Sequence, residues 1–368
     1  MKTLLSLAFL LCILFSLTAQ NVWIVDNRPT APTGTHIFPD VASAISAASS
    51  GDIIHITPSQ FSYGNWTISK DSLTIFGIGY NPDKEQPAVS INGTITISED
   101  IFGIRLSGLN ATQISLGNGS AGSIGNIFIE NGEIDYISGN FASGTTNLSN
   151  IIIRNCVLGR DFTGNASILD LENTYVNSTS VIIANNVIMG TSWSPTSTTN
   201  YGAINVTDAI IKNNLFLGDG SVGDFGFNSV TTSTISNNIF FGRNPTTDGN
   251  TGAITNSTFS NNISFSADVV TFPIGGNGNT GSGNFESTDP LLVNVPIVDD
   301  WDFSYDPTPD TGSPALNGGN DGTDIGVTGG SIPYNRTGSP LPVIKVLRLP
   351  ELIQQGTDVD ATIEAEGN

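Results

Sequence analysis

Between about residues 126 and 265 one short phrase recurs: an apolar residue, a variable residue, then Asn. It reads Ile129-Glu130-Asn131, Ile153-Arg154-Asn155, Ile183-Ala184-Asn185, Ile211-Lys212-Asn213, Ile235-Ser236-Asn237 and Phe259-Ser260-Asn261. The successive Asn residues stand 24, 30, 28, 24 and 24 positions apart. A second Asn follows in the later copies (Asn186, Asn214, Asn238, Asn262), and then an apolar run such as Val187-Ile188-Met189. A fixed period in the twenties predicts stacked coils, each burying its apolar face against its neighbours.

The flanking patterns fit this frame. Val22 to Val25 predicts a short strand, and Arg28 to Thr35 a Pro-rich link. Asp40 to Ala48 predicts a capped helix, with Val41, Ala44, Ile45 and Ala48 on one face. Short apolar runs follow at Ile53–Ile56, Leu73–Phe76, Ile95–Ile97, Ile104–Leu106 and Ile114–Leu116. Residues 53–286 therefore divide into about ten coils, with a register less firmly marked before residue 126. At a strand spacing of ~4.8 Å this makes a rod on the order of 50 Å long. Residues 20–52 form the N-terminal strand and capping helix, and 287–368 a closing segment packed along or beyond the last coil.

Leucine-rich repeats share the period but place two residues between the last apolar position and Asn, where this chain has one. A parallel β-helix accounts for the phrase better. Asn131, Asn155, Asn185, Asn213, Asn237 and Asn261 then form a stacked ladder at a corner whose left-handed backbone Asn tolerates. Cys156 stands where later coils carry the second Asn and is expected to be a core substitute. In this register Glu130 and Arg154 are neighbours one coil apart, while Lys212 has no acidic partner in its column.

Composition narrows the function. The chain has 33 acidic residues against 12 basic ones and a net charge of −21, which excludes nucleic acid and anionic membranes as partners. Lys2, the apolar run Leu4 to Leu17 and Ala19 read as a signal peptide spanning 1–19, cleaved near Ala19, so the mature chain is expected outside the cytoplasm. No later stretch is apolar and long enough to be a membrane span. With Cys12 in the leader, Cys156 has no disulfide partner.

The cap phrase Phe38-Pro39-Asp40-Val41 through Asp52-Ile53-Ile54, the Asn-marked coils, Asp289-Pro290-Leu291, Gly312-Ser313-Pro314-Ala315 and Asp324-Ile325-Gly326 together carry a resemblance. The chain resembles the extracellular right-handed parallel β-helix proteins of the pectin-lyase-like superfamily. Its terminal set is similar to the closing module of secreted bacterial β-helix proteins, and the tail after Pro333 to Bacteroidetes-type versions. The superfamily implies polysaccharide lyases and hydrolases, but also adhesins and members without a known reaction. A lyase would need an Arg or Lys base, commonly with Ca²⁺ held by carboxylates. No lyase motif is matched residue by residue, so no catalytic residue and no cofactor is assigned, and Ca²⁺ enters only with the lyase alternative.

Other candidate chemistry is thin. Asp299, Asp300 and Asp302 lie in an Asp-rich turn, and Asp161, Asp170 and Glu172 have no spacing that sets a carboxylate pair. Asn320 to Asp324 fails the EF-hand pattern and reads as a turn. His36 and His55 are too far apart to predict a metal site. Thr residues are not expected to hold one phase, which speaks against an ice- or crystal-binding face. The informative feature is where extra residues go. The apolar runs end in Gly159, Gly190, Gly218 and Gly242, each followed by a polar irregular stretch, so these loops emerge on one side. That side would carry Arg160, Asp161, Trp193, Tyr201, Asp224, Phe225, Arg243 and Asp248, a set suited to an extracellular polysaccharide or cell-surface glycan. The bland alternative has Trp193 and Phe225 covering outward apolar residues such as Ile188, Phe216 and Phe240. Scarce cations and the missing catalytic signature favour a non-catalytic glycan-binding or adhesion module, with a polysaccharide lyase or glycoside hydrolase as the alternative.

Overall fold

The computed structural model describes residues 20–80, 90–139, 146–160, 167–172, 176–189, 203–220, 225–245, 254–266, 271–274, 276–336, 343–348 and 362–366. The predicted leader lies outside them. Among the described residues, no helix is long and apolar enough to cross a membrane. Parallel strands stack into two 13-stranded sheets. The first runs from Val22–Val25 through Ile53–Ile56, Gly122–Glu130, Thr146–Arg154, Val176–Ala184 and Ala209–Lys212 to Thr280–Ser282. The chain is a parallel β-helix. Helix Val41–Ala47 covers its N-terminal end, with Val41, Ala44 and Ile45 buried and the Asp40 carboxylate accepting from Ser43 N at 2.7 Å.

Left-handed residues bound each short inward-facing run of the first sheet, lying inside the longer strands Gly122–Glu130, Thr146–Arg154 and Val176–Ala184 as well as at the corners that follow them. Asn126 and Asn131, Asn150 and Asn155, Ser180 and Asn185, Asp208 and Asn213, Thr232 and Asn237, and Asn256 and Asn261 all have φ between 50° and 56°. Between them, alternate residues such as Ile127 and Ile129, or Ile151 and Ile153, point inward and are almost fully buried. The earlier coils use the same corners with different residues. Gly103 (φ 76°) stands where Asn126 does, and Gly108 (φ 69°) where Asn131 does. Glycine reaches this conformation without strain, so the corner persists where the Asn signal fades.

The hydrogen-bonded ladder lies one residue beyond the predicted column. Asn131, Asn155, Asn185, Asn213, Asn237 and Asn261 set the corner through their backbones. The stacked amides are Asn186, Asn214, Asn238, Asn262 and Asn284. Each Oδ1 accepts both the N–H and the Nδ2 of the Asn one coil before it, at 2.9–3.0 Å. Each Nδ2 also reaches an inner carbonyl, as Asn214 does to Ile183 O at 2.9 Å. Cys156 heads this column as expected: its N–H donates to Asn186 Oδ1 at 2.9 Å and its Sγ approaches Arg154 O at 3.2 Å. Burial pushes its thiol up to about 12, so it is an inert core group.

The closing segment lies along the side of the coils. It covers an outward apolar file of Val157, Val187, Leu215, Ile239 and Ile263 with Val295, Trp301, Ala315, Ile325, Val327 and Tyr334. The outward corner amides hold it down. Asn185 Nδ2 donates to Val327 O and Gly329 O (3.0 and 2.8 Å), Asn261 Nδ2 to Gly318 O (2.9 Å), and Asn237 pairs with Asn320 (3.0 Å). From Asn185 on, the first Asn of the phrase thus turns the chain and clamps a cover, while the second builds the ladder. Val343–Arg348 and Thr362–Glu366 form an antiparallel hairpin.

Candidate functional site

Three of the eight predicted surface residues lie among those described, and each is engaged inside the protein. Arg243 is fully buried; its guanidinium donates to Leu217 O (2.9 Å), Phe225 O (3.1 Å) and the Asp299 carboxylate (3.3 Å). Arg160 pairs with Glu133 at 2.7 Å and Asp300 at 3.5 Å, and lies 5.3 Å from the centre of the Phe303 ring. Phe225 is buried and bridges to Asn244. The two arginines fasten the closing segment. Asp161, Trp193, Tyr201, Asp224 and Asp248 lie outside the described residues. Ile188, Phe216 and Phe240 point inward, with Phe216 and Phe240 stacked at 4.6 Å. The outward residues needing cover are their neighbours Val187, Leu215 and Ile239, and the closing segment supplies it.

We expect Arg243→Ala to lower stability by about 2–4 kcal/mol. It strips a buried cation from two carbonyls and from Asp299, which keeps some access to water. Denaturant titration checks this, and a change below about 0.5 kcal/mol would contradict the staple role.

Among the described residues, most cations of the array are likewise engaged. Glu130 is almost fully buried between Arg105 and Arg154 and takes both guanidinium groups, Arg154 at 2.7 and 2.9 Å. Lys70 Nζ donates to Ser46 O and Ala48 O, both at 2.6 Å. Lys212, without an acid in its own column, has its charge felt by Asp321 of the closing segment. Asn320 to Asp324 is a turn: Asp321 accepts from Thr323 N and Oγ1. His55 stacks on Phe76 at 4.9 Å, and His36 packs tilted against Trp23 at 4.7 Å.

Of the carboxylates, Asp299 and Asp300 are taken up by the arginines, and Asp302 accepts from Ser304 N at 2.8 Å. Asp170 differs. Burial pushes its carboxyl up, and Asn205 Nδ2 donates to it at 2.8 Å. Glu172, nearby in sequence, accepts from Ser178 N at 2.9 Å. Among the described residues no group of three or more His, Cys, Asp or Glu is placed to hold a metal ion. The calcium of the lyase alternative therefore has no assembled ligand set there.

A different surface emerges on the outer face of the first sheet. Phe128, Ile152, Ile182, Ile210, Thr234, Thr258 and Thr280 share one register position on successive coils. The first three are half-buried, and Ile210, Thr234, Thr258 and Thr280 are exposed. The Thr residues therefore do hold one phase, contrary to expectation, and the Thr258 and Thr280 hydroxyls lie 3.1 Å apart. The signal was legible as Thr234-Ile235-Ser236, Thr258-Phe259-Ser260 and Thr280-Gly281-Ser282, each ahead of a left-handed corner. Arg105 precedes the file on the coil before Phe128, while Arg154 and Lys212 stand in the neighbouring outward column.

No family model matches the sequence, and neither does any curated protein. Among solved structures, one titled "Geobacillus virus E2 - ORF18" is similar at 12% identity with a TM-score of 0.29, over 66% of this chain. The chain spans 55% of that structure's length. At that level the similarity carries no functional argument.

Proposed function

We propose that the chain is a secreted, non-catalytic β-helix of the pectin-lyase-like kind that holds an extracellular polysaccharide or cell-surface glycan along the outer face of its first sheet. The open file from Phe128 to Thr280 carries this reading. At the strand spacing it spans roughly 30 Å. Its β-branched side chains have few rotamers, so they present a regular, rigid row at low entropic cost. Phe128 and the Ile residues offer flat apolar contact to the C–H faces of sugar rings. The Thr hydroxyls, each both donor and acceptor, suit sugar hydroxyls. The engagement of Arg105, Arg154, Arg160 and Arg243 with carboxylates weighs against a free catalytic base.

One observation favours the alternative. A half-buried carboxyl with a raised pKa, as at Asp170, is what a glycoside hydrolase uses as a general acid. A single experiment separates the readings. The mature chain is run through gels containing soluble polysaccharides, and the same mixtures are assayed for reducing ends and unsaturated products. Retardation without product is expected. Ile182→Asp should weaken it about tenfold, with Trp193→Ala unchanged. Product formation abolished by Asp170→Asn would establish the hydrolase instead. Loss with Trp193→Ala alone would return binding to the loops.

A further inference from the structure

A second site lies at the N-terminal edge of the first sheet, where the Pro-rich link leaves strand Val22–Val25. A cavity of about 480 Å³ opens there, bounded by Asp26, Arg28, Thr33, Ile37 and Phe38 with neighbouring prolines. This volume falls in the range of small-molecule sites. We propose that this cavity binds one neutral hexose unit, free or as the end of a glycan.

The charge balance selects the ligand. Arg28 Nε donates to Asp26 Oδ1 at 2.9 Å and Nη2 to Oδ2 at 2.6 Å. Asp26 is almost fully buried under this pair, whereas the Arg28 side chain is half exposed. The guanidinium is thus neutralised in place and keeps donors to spare. An anionic ligand would compete with Asp26 for a charge already satisfied, and a cationic one would face Arg28. A vicinal diol does neither: it accepts from the free guanidinium edge and exchanges hydrogen bonds with the Thr33 hydroxyl. The apolar wall of Ile37, Phe38 and the prolines then takes the C–H face of the ring.

The site is also pre-formed. Parallel pairing pins both ends of the link, with Ile24 N donating to His36 O at 2.8 Å and Asp26 N to Phe38 O at 2.9 Å. Asn27 Nδ2 ties its start to Phe61 O and Ser62 O at 3.1 and 3.2 Å. Pro29, Pro32 and Pro39 fix φ along it, so little ordering remains for a ligand to impose.

The test is an amide NMR titration of the mature chain with methyl glycosides of glucose, galactose, mannose and N-acetylglucosamine, and with glucuronate. Saturable shifts centred on the Asn27 side chain and Gly34 are expected with at least one neutral sugar. Arg28→Ala should weaken them about tenfold, and Thr33→Trp, which fills the cavity from an exposed position, should abolish them. Both variants should keep the gel retardation of the parent, and Ile182→Asp should keep the NMR shifts, so the two sites succeed or fail separately. Absence of shifts with every neutral sugar overturns the proposal, as does equal binding of glucuronate or indifference to both cavity variants.

Discussion

Asn214→Leu is expected to destabilise the protein by about 3–6 kcal/mol, a large part of the 5–15 kcal/mol typical of a domain. Leu has the same branching and heavy-atom count as Asn, so the loss is chiefly polar, with some overpacking from its methyl groups. Asn214 is fully buried, and its Oδ1 accepts from both Asn186 N and Asn186 Nδ2 at 3.0 Å. Its Nδ2 donates to Ile183 O, Lys212 O and Asn238 Oδ1 at 2.9–3.0 Å. Removing the amide leaves buried donors on one coil and buried acceptors on the same and next coils, and each such group costs about 1–3 kcal/mol. A corner residue on an earlier coil supplies the contrast. Asn131 holds a left-handed corner at φ 54° and reaches only Ser107 Oγ, at 3.1 Å. Asn131→Gly keeps that backbone available and should cost less than about 1 kcal/mol. Denaturant midpoints for the two variants decide the matter. If Asn214→Leu costs no more than Asn131→Gly, the ladder is not what holds the coils in register.

That contrast also marks what the sequence made legible. The repeat, the strand phase and the stacked parallel coil follow from Ile-x-Asn, because an apolar residue every second position and an Asn at each corner leave few alternatives; the division into two sheets does not. Which Asn does what was not legible, since both recur with the same period and only the three-dimensional path separates a corner amide from an inward one. Coils before residue 126 hid because Gly103 and Gly108 satisfy the same backbone requirement as Asn without its side chain. The repeat put Arg160 and Arg243 at one phase after Gly159 and Gly242, and both reach the Asp299–Asp300 turn. Their partners did not follow from the repeat: Asp300 and Asp299 belong to an aperiodic segment, and Asp299 lies 56 positions from Arg243. A periodic pattern assigns neighbours only within the period. The Thr file, by contrast, was present as Thr-x-Ser and is lost only when Thr residues are counted across the whole chain instead of against the Asn corners.

Trp301→Ala should detach the closing segment while leaving the coils folded. Trp301 is almost fully buried in the second core, edge-on to Tyr305 at 5.6 Å and Tyr334 at 6.2 Å. Truncating a buried Trp costs about 3–5 kcal/mol through lost contact and the cavity left behind. That loss falls on a segment without regular pairing to the coils. Its hold is the apolar file of Val187, Leu215, Ile239 and Ile263, the amides of Asn185, Asn237 and Asn261, and the Arg160 and Arg243 clasps. The coils keep their ladder and their inner core, which share no residue with the second core. Repeat architectures add nearest-neighbour terms, so loss of a flanking cover is not transmitted through the stack. Limited proteolysis should therefore cut the variant between 287 and 336 and leave a resistant core, while binding of a hydrophobic dye rises as the outward file is uncovered. Trp301→Phe, which keeps an aromatic ring in place, should show much less of both. Simultaneous loss of segment and coils would mean that the cover and the solenoid fold as one cooperative unit. An uncut variant would mean that the amides and arginines hold the segment without the Trp301 anchor. The first outcome would refute the separation between the ladder, which builds the rod, and the corner amides, which dress it; the second would refute the anchoring role of Trp301.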